Sequence, residues 1–326
     1  MDTNELLEPF DRMLQAACPP DAIRAVEQGE SFAAMWGTIA ESGFLDALVS
    51  EEAGGFGLPL AEIEPLLKAL GRHAVPLPVG ETMVARALLA AAGHEPPSGA
   101  IALAVADNGA GVPLPFGMVC EHLLVDRGDC IELVGAGDVH PTPTGVRGSV
   151  DAVCDLGVAA GAVRCERPAE GLRPVGALLR AVSMAGAAEH LLEMTTSYAN
   201  ERVQFGKPIG RQQALQQQIA VMAEDVIAMR LAVQLACAGG FPVDLLAAAT
   251  AKSIASSSAP RVAATAHAIH GAIGISEEFD LQLYTRRLHE WRFACGSETY
   301  WNRLLGTARL GSAERSIDWV RENLFA

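Results

Sequence analysis

No stretch of this 326-residue chain approaches the roughly 20 uncharged apolar residues of a membrane span, although half of its residues are apolar. Its first residues, MDTNELLEPFDRML, are acidic and lack the basic and apolar zones of a signal peptide. The seven cysteines show no CxxC spacing and their number is odd, which argues against a disulfide framework and a structural zinc site. A basic stripe is missing too: the net charge is -15, and no segment offers the cationic surface of a nucleic-acid binder. Together these absences describe a soluble cytoplasmic protein that acts on neither membranes nor nucleic acids.

The charge that is present lies unevenly. Residues 1–100 carry 15 acidic and 5 basic side chains, whereas residues 171–326 carry 14 and 15. An anionic small ligand therefore belongs in the C-terminal half, where the basic residues are almost all arginine, the side chain suited to forked phosphate contacts.

The pattern along the chain is that of a mainly α protein in three parts, over residues 1–95, 96–172 and 173–326. In the first part Ser31–Gly43 opens on an N-cap serine and closes on glycine. Helices follow over about Leu60–Gly71 and Glu81–Ala92, and the glycine-rich loop Glu51–Pro59 precedes the first of these. In the second part, prolines punctuate short runs such as Ile101–Val105, Val119–Val125 and Cys130–Val134, predicting a small β-domain of five or six strands. The third part is helical again. Leu215, Ile219, Met222, Val226, Met229, Val233 and Ala236 recur at alternating steps of four and three, the stripe of a helix packed on near-parallel neighbours. The methionines in that stripe read as core filling. Similar patterns over Val175–Asn200, Val243–Ser256 and Ala259–His270, with two more helices beyond Leu281, predict an antiparallel bundle.

Two segments of the bundle can carry chemistry. Glu201–Gly210 (ERVQFGKPIG) ends a long helix, so Arg202 and Lys207 place cations where the helix dipole favours them. That is the arrangement of a solvated C-cap, and equally of a phosphate clamp. Ala266–Gly274 (AHAIHGAIG) ends one helix and turns on glycine before the next, so backbone amides can face a phosphate. It can also be a plain helix–helix corner. His267 and His270 share a helix face, but no third ligand of the HExxH kind lies nearby, which speaks against a metal.

Taken together, these segments resemble the acyl-CoA dehydrogenase family. Its Arg-x-x-Phe-Gly-Lys-Pro-[Ile/Leu] run with a following Gln is matched by Arg202, Phe205, Gly206, Lys207, Pro208, Ile209 and Gln213. Its His-Gly-Gly-Ile-Gly turn and Leu-x-Leu-Tyr-x-Arg-Arg stretch are matched by His270, Gly271, Ile273, Gly274, Leu281, Leu283, Tyr284, Arg286 and Arg287. Glu51–Pro59 and Ala69–Arg72 agree as well. The resemblance implies an N-terminal helical domain, a middle β-domain shortened here, and a C-terminal four-helix bundle. It also implies α,β-dehydrogenation of an acyl-CoA thioester with FAD bound between subunits. On that reading Arg202, Gln204, Phe205 and Gln213 reach a flavin dinucleotide across an interface. Ala268, His270, Gly271, Ala272 and Gly274, together with Ser297 and Thr299, line the neighbouring part of the cofactor site.

Three departures stand out. The family's Thr-Glu-Pro…Gly-Ser-Asp segment has no counterpart in Val105–Gly117. The two positions where members carry the catalytic glutamate hold Cys295 and Gly176, leaving Glu298, three residues beyond Cys295, as a substitute. In the glycine turn, Ala268 and Ala272 replace Gln and the second Gly. Short members of the family in bacterial steroid and bulky-acyl catabolism work as α2β2 heterotetramers in which one chain keeps the glutamate. The expectation is therefore a subunit that lacks the base and completes the FAD site of a homologous partner. The alternatives are a self-sufficient homo-oligomer with an atypical base and a non-enzymatic scaffold.

Overall fold

The computed structural model describes residues 3–106, 111–157 and 163–324. Five helices open the chain: α1 (Thr3–Ala17), α2 (Pro20–Glu27), α3 (Ala33–Glu41), α4 (Leu60–Arg72) and α5 (Val79–Ala91). Helix α3 begins one residue later than an N-cap serine would place it: Phe32 is the N-cap, and the Ser31 hydroxyl, just outside it, accepts from the Ala33 amide at 3.3 Å. Its end follows Gly43, which supplies a left-handed φ of 78°.

The middle segment forms β1 (Ile101–Val105), β2 (Val112–Leu114), β3 (His122–Asp126), β4 (Cys130–Gly135), β5 (Thr142–Pro143), β6 (Ala152–Cys154) and β7 (Val163–Glu166). They make two sheets, ordered β1-β3-β4-β7 and β2-β6-β5. Only the β1–β3 pair is parallel, in the register Leu103↔Leu124. The first sheet is covered on both faces, which explains its near-continuous apolar runs. Ala102, Ala104, Leu123, Val125 and Val134 face a small core shared with the second sheet. Leu103, Leu124 and Ile131 face the helices instead. Seven described strands exceed the five or six expected, because two- and three-residue strands such as β2 and β5 leave no periodic signal.

The rest is helical: α6 (Arg173–Glu201), a two-residue ladder of β8 (Val203–Gln204) and β9 (Lys207–Pro208), then α7 (Gln213–Ala238), α8 (Leu245–His270), α9 (Leu281–Phe293), α10 (Glu298–Gly311) and α11 (Ser316–Leu324). This is the mainly α architecture anticipated, with two corrections. Val243–Ser256 and Ala259–His270 are one continuous helix, α8, which runs straight through Pro260. An interior proline costs ~3 kcal/mol in a solvated helix. Here Ala255, Ala259, Val262 and Ala266 are fully buried on either side of it, so packing holds the helix together. Beyond Leu281 there are three helices rather than two. The α7 stripe is as expected: Met222, Val226, Met229, Val233 and Ala236 are buried, and Leu215 and Ile219 cap a smaller cluster at one end.

By length and composition α6 could cross a membrane, yet most of it is buried inside the fold. It is the central helix. Its backbone touches that of α4, where a Cβ on Gly71 would lie 1.8 Å from the Ser183 carbonyl oxygen. A Cβ on Gly186 would lie 2.0 Å from the Lys68 carbonyl. No rotamer relieves a backbone clash. Gly186→Ala should therefore separate the two helices and cost at least the ~1–3 kcal/mol of core overpacking, read as a lower urea midpoint with an unchanged slope.

Candidate functional site

The functional residues gather at the two ends of α6. At its N-terminal end a cleft of about 690 Å³ lies between the β-domain and α9. On α9, Arg286, His289, Glu290 and Phe293 recur at three- and four-residue steps and all line this cleft. The helix is pinned in that orientation by Glu27 of α2, which accepts from Arg286 and Arg287, each at 2.7 Å. Arg286 also donates to the Arg147 carbonyl of the β-domain at 2.9 Å. Opposite stand Leu103, Val112, Pro113 and Val146, so the walls are largely apolar.

Two carboxyls face this apolar space. Ser149 Oγ donates to Glu290 Oε1 in a short hydrogen bond and accepts from the Asp151 amide at 3.1 Å. Asp151 Oδ1 accepts from the Phe116 amide at 2.8 Å. Burial, with Glu290 next, pushes Asp151 up to about 7. Burial also raises Glu290, against its Ser149 hydrogen bond and the charges of Arg287, Arg180 and Arg286. The cleft thus holds acid groups with raised affinity for protons, which is what acid–base chemistry near neutrality needs.

The turn between α9 and α10 closes the cleft. Cys295 and Gly296 lie there with φ of 56° and 103°, and a left-handed non-glycine residue marks a constrained backbone. A Cβ on Gly176 would meet Cys295 Sγ at 2.8 Å, so the two positions that lack a carboxylate are neighbours in space. The thiol is raised by burial, against Arg180, Lys252 and Arg173, and is a neutral group. Glu298 is committed elsewhere. It makes two hydrogen bonds to Arg292, which hold its carboxyl below the usual range. Ser297 is half-buried and Thr299 exposed at the start of α10.

At the other end of α6, Tyr198 stacks on the His270 ring at 4.5 Å and its hydroxyl donates to the His270 carbonyl at 3.3 Å. His270 itself points inward, with Nδ1 bonded to the Ala266 carbonyl at 2.8 Å. What the turn presents outward is Ala268, Gly271 and Ala272, while Gly274 is buried where a Cβ would press on Leu281 at 2.9 Å. Beside it stands the β8–β9 hairpin. Its two-residue turn is Phe205-Gly206, both with positive φ, a geometry that ordinarily selects Asn-Gly. Phe205 holds this costly conformation while 92% exposed. Arg202, Gln204, Lys207 and Gln213 are exposed as well, and no side-chain partner is found for any of them among the described residues. Unpaired cations around a projecting aromatic fit a dinucleotide phosphate and ring.

From Gly176 to Glu201 the helix rises roughly 38 Å. The residues anticipated as one cofactor site are therefore split between opposite ends of the bundle.

Comparison with known proteins gives the family and the fold. Residues 174–310 match the family described as acyl-CoA dehydrogenase, C-terminal domain. The acyl-CoA dehydrogenase IpdE2 of Mycobacterium tuberculosis is 32% identical over 281 residues, 83% of this chain and 85% of that protein. The chain belongs to the acyl-CoA dehydrogenase family. The fold is also that of the ChsE4-ChsE5 complex from M. tuberculosis, with a TM-score of 0.79 at 25% identity over 96% of this chain and 98% of that one. The Tcur3481-Tcur3483 steroid acyl-CoA dehydrogenase, in a G363A variant, has a TM-score of 0.79 at 25% identity over 94% and 97%. At the cleft end, the two positions where the resemblance led us to expect a glutamate are Cys295 and Gly176. Of Val105–Gly117, residues 107–110 lie outside the described residues, and Val105 and Gly111–Pro113 line the cleft.

Sequence reasoning missed Asp151 and Glu290. Each sits among ordinary charged residues, and only the folding of the β-domain against α9 dries them out. A raised acid binds its proton more tightly when folded. Its stabilising effect is therefore complete below the unfolded pKa of about 3.9 and is lost as pH rises through about 7. Asp151→Asn should flatten the fall in Tm between pH 4 and 7, measured by thermal denaturation at a series of pH values.

Proposed function

We propose that this chain is one subunit of a heteromeric, FAD-dependent acyl-CoA dehydrogenase that removes hydrogen from Cα and Cβ of an acyl-CoA thioester. In this assembly its Arg202–Gln213 arm completes the cofactor site of a homologous partner. The observation that carries this reading is the split of the site along α6. One chain presents the dinucleotide clamp at one end of the bundle and the cleft at the other, so a closed site requires a second chain. Phe205, held in a left-handed turn and exposed, has nothing to touch within its own chain. A second apolar stripe on α7, with Val221, Ile227, Leu231 and Leu235 all exposed, offers a surface for a similar bundle. Two structural neighbours are themselves two-protein complexes. Bound FAD would take up the β-hydride.

In this chain's own cleft neither glutamate position can supply a base. Gly176 has no room for a side chain while Cys295 occupies its present place, so the two losses support each other. The steroid acyl-CoA dehydrogenase among the neighbours, and the largely apolar cleft, favour a bulky acyl group.

A second reading follows from Glu290. Its raised carboxyl, already in the cleft, would make the chain a self-sufficient dehydrogenase with a relocated base.

Co-expression with a homologous dehydrogenase separates the two. Arg202→Ala with Phe205→Ala should leave the fold within ~0.5 kcal/mol, because both side chains are exposed and unpartnered. The same double change should strip the complex of flavin absorbance and of dehydrogenase activity. A yellow, active homo-oligomer of this chain alone, inactivated by Glu290→Gln, would sink the first reading in favour of the second.

A further inference from the structure

Lys252, in the middle of α8, is fully buried and has no carboxylate among its bonded partners. Its ammonium donates to Ser256 Oγ at 2.8 Å, to the Arg292 carbonyl at 2.8 Å and to the Gly296 carbonyl at 2.9 Å. Ser256 Oγ also donates to the Arg292 carbonyl, at 3.2 Å, and one turn away Ser253 Oγ donates to Asn302 Oδ1 at 2.6 Å. The two carbonyls held by Lys252 bracket Phe293–Cys295. The Arg292 carbonyl lies in the last turn of α9 and the Gly296 carbonyl in the strained turn, where a helix end leaves acceptors without intrahelical partners. The backbone at Cys295 has the left-handed φ that a side chain disfavours. Something must hold it there, and two bonds from one cation, to the Arg292 and Gly296 carbonyls on either side of it, do so.

We infer that Lys252 is a positioning residue that clamps the α9–α10 turn onto α8 and so sets where Cys295 and Gly296 stand in the wall of the cleft. Three acceptors at 2.8–2.9 Å call for three N–H donors and hence the charged amine. Burial opposes that charge and pushes the amine down to about 7, countered by Cys295 and Glu298. A hydrophobic side chain of similar length would fill the same volume without this tension, so packing alone does not account for a lysine here. The importance of the clamp for catalysis rests on the function proposed above, but its geometry does not.

The test uses the purified full-length chain and alkylation by iodoacetamide, followed residue by residue by mass spectrometry. Lys252→Met should speed labelling of Cys295 by about tenfold relative to Cys18 and Cys237, the change in local opening expected when charged hydrogen bonds are lost. Lys252→Gln, which keeps two N–H donors, should restore much of the protection. Ser256→Ala should give a smaller rise and serves as the deciding variant if Lys252→Met unfolds. The sign matters, because Lys252 also favours the Cys295 thiolate. If the lysine were only a nearby charge, its removal would slow labelling. Unchanged or slower labelling of Cys295, or an equal rise at Cys18 and Cys237, overturns the clamp. None of these outcomes depends on flavin, so the inference can fail while the proposed function stands, and the reverse.

Discussion

A buried guanidinium–carboxylate pair fastens the three parts of this chain to one another. Arg180 of α6 and Glu81 of α5 are almost fully enclosed and form an ion pair with each other. The Phe116 ring of the β-domain lies over the same guanidinium with its centroid 4.3 Å away, and Trp291 of α9 is at 5.8 Å. One cation therefore meets the N-terminal helices, the β-domain and the bundle at a single point. Burial lowers the Arg180 pKa to about 10, which still leaves it charged at neutral pH. Such a pair adds little over apolar packing, yet losing either partner strands a buried charge, so it holds the three parts in one arrangement. Arg180 sits one helical turn from Gly176 on α6.

The remaining geometry extends from this junction along α6. Gly71 and Gly186 bring two helix backbones into contact, and Glu27 with Arg286 and Arg287 aims α9 at the β-domain. The two strained non-glycine residues discussed above, Cys295 and Phe205, stand at opposite ends of the same helix. At Cys295 the strain is half-buried in the cleft wall, flanked by carbonyls that Lys252 holds. At Phe205 it is exposed and held by a hairpin of only two ladder pairs. This contrast separates a wall built within the chain from an arm built to be met from outside.

Much of this was legible in the residues. The α7 stripe, the glycine stop of α3 and the apolar strands β1, β3 and β4 follow from period, capping and alternation, which are local. Pro260 misled because the rule that proline ends a helix holds where solvent is the competitor, and α8 is surrounded by other helices. The Asp151–Glu290 region was hidden for a related reason. Neither residue lies in a motif, and their raised proton affinity exists only because segments about 140 positions apart enclose an apolar space.

The order of the chain by itself pointed to the family, through the Arg202–Gln213 run and the His270–Arg287 stretch, and it put Cys295 and Gly176 where the resemblance expects a glutamate. Side-chain identity at a motif position survives without coordinates, which is why these conclusions needed none. Only the tertiary structure decided that the motif residues belong to two separate ends of one helix. It alone showed that Gly176 and Cys295 share a single space and that Lys252 donates to backbone carbonyls on either side of Cys295. These are distances between segments remote in sequence, set by how α6, α8 and α9 pack, and no local pattern encodes them.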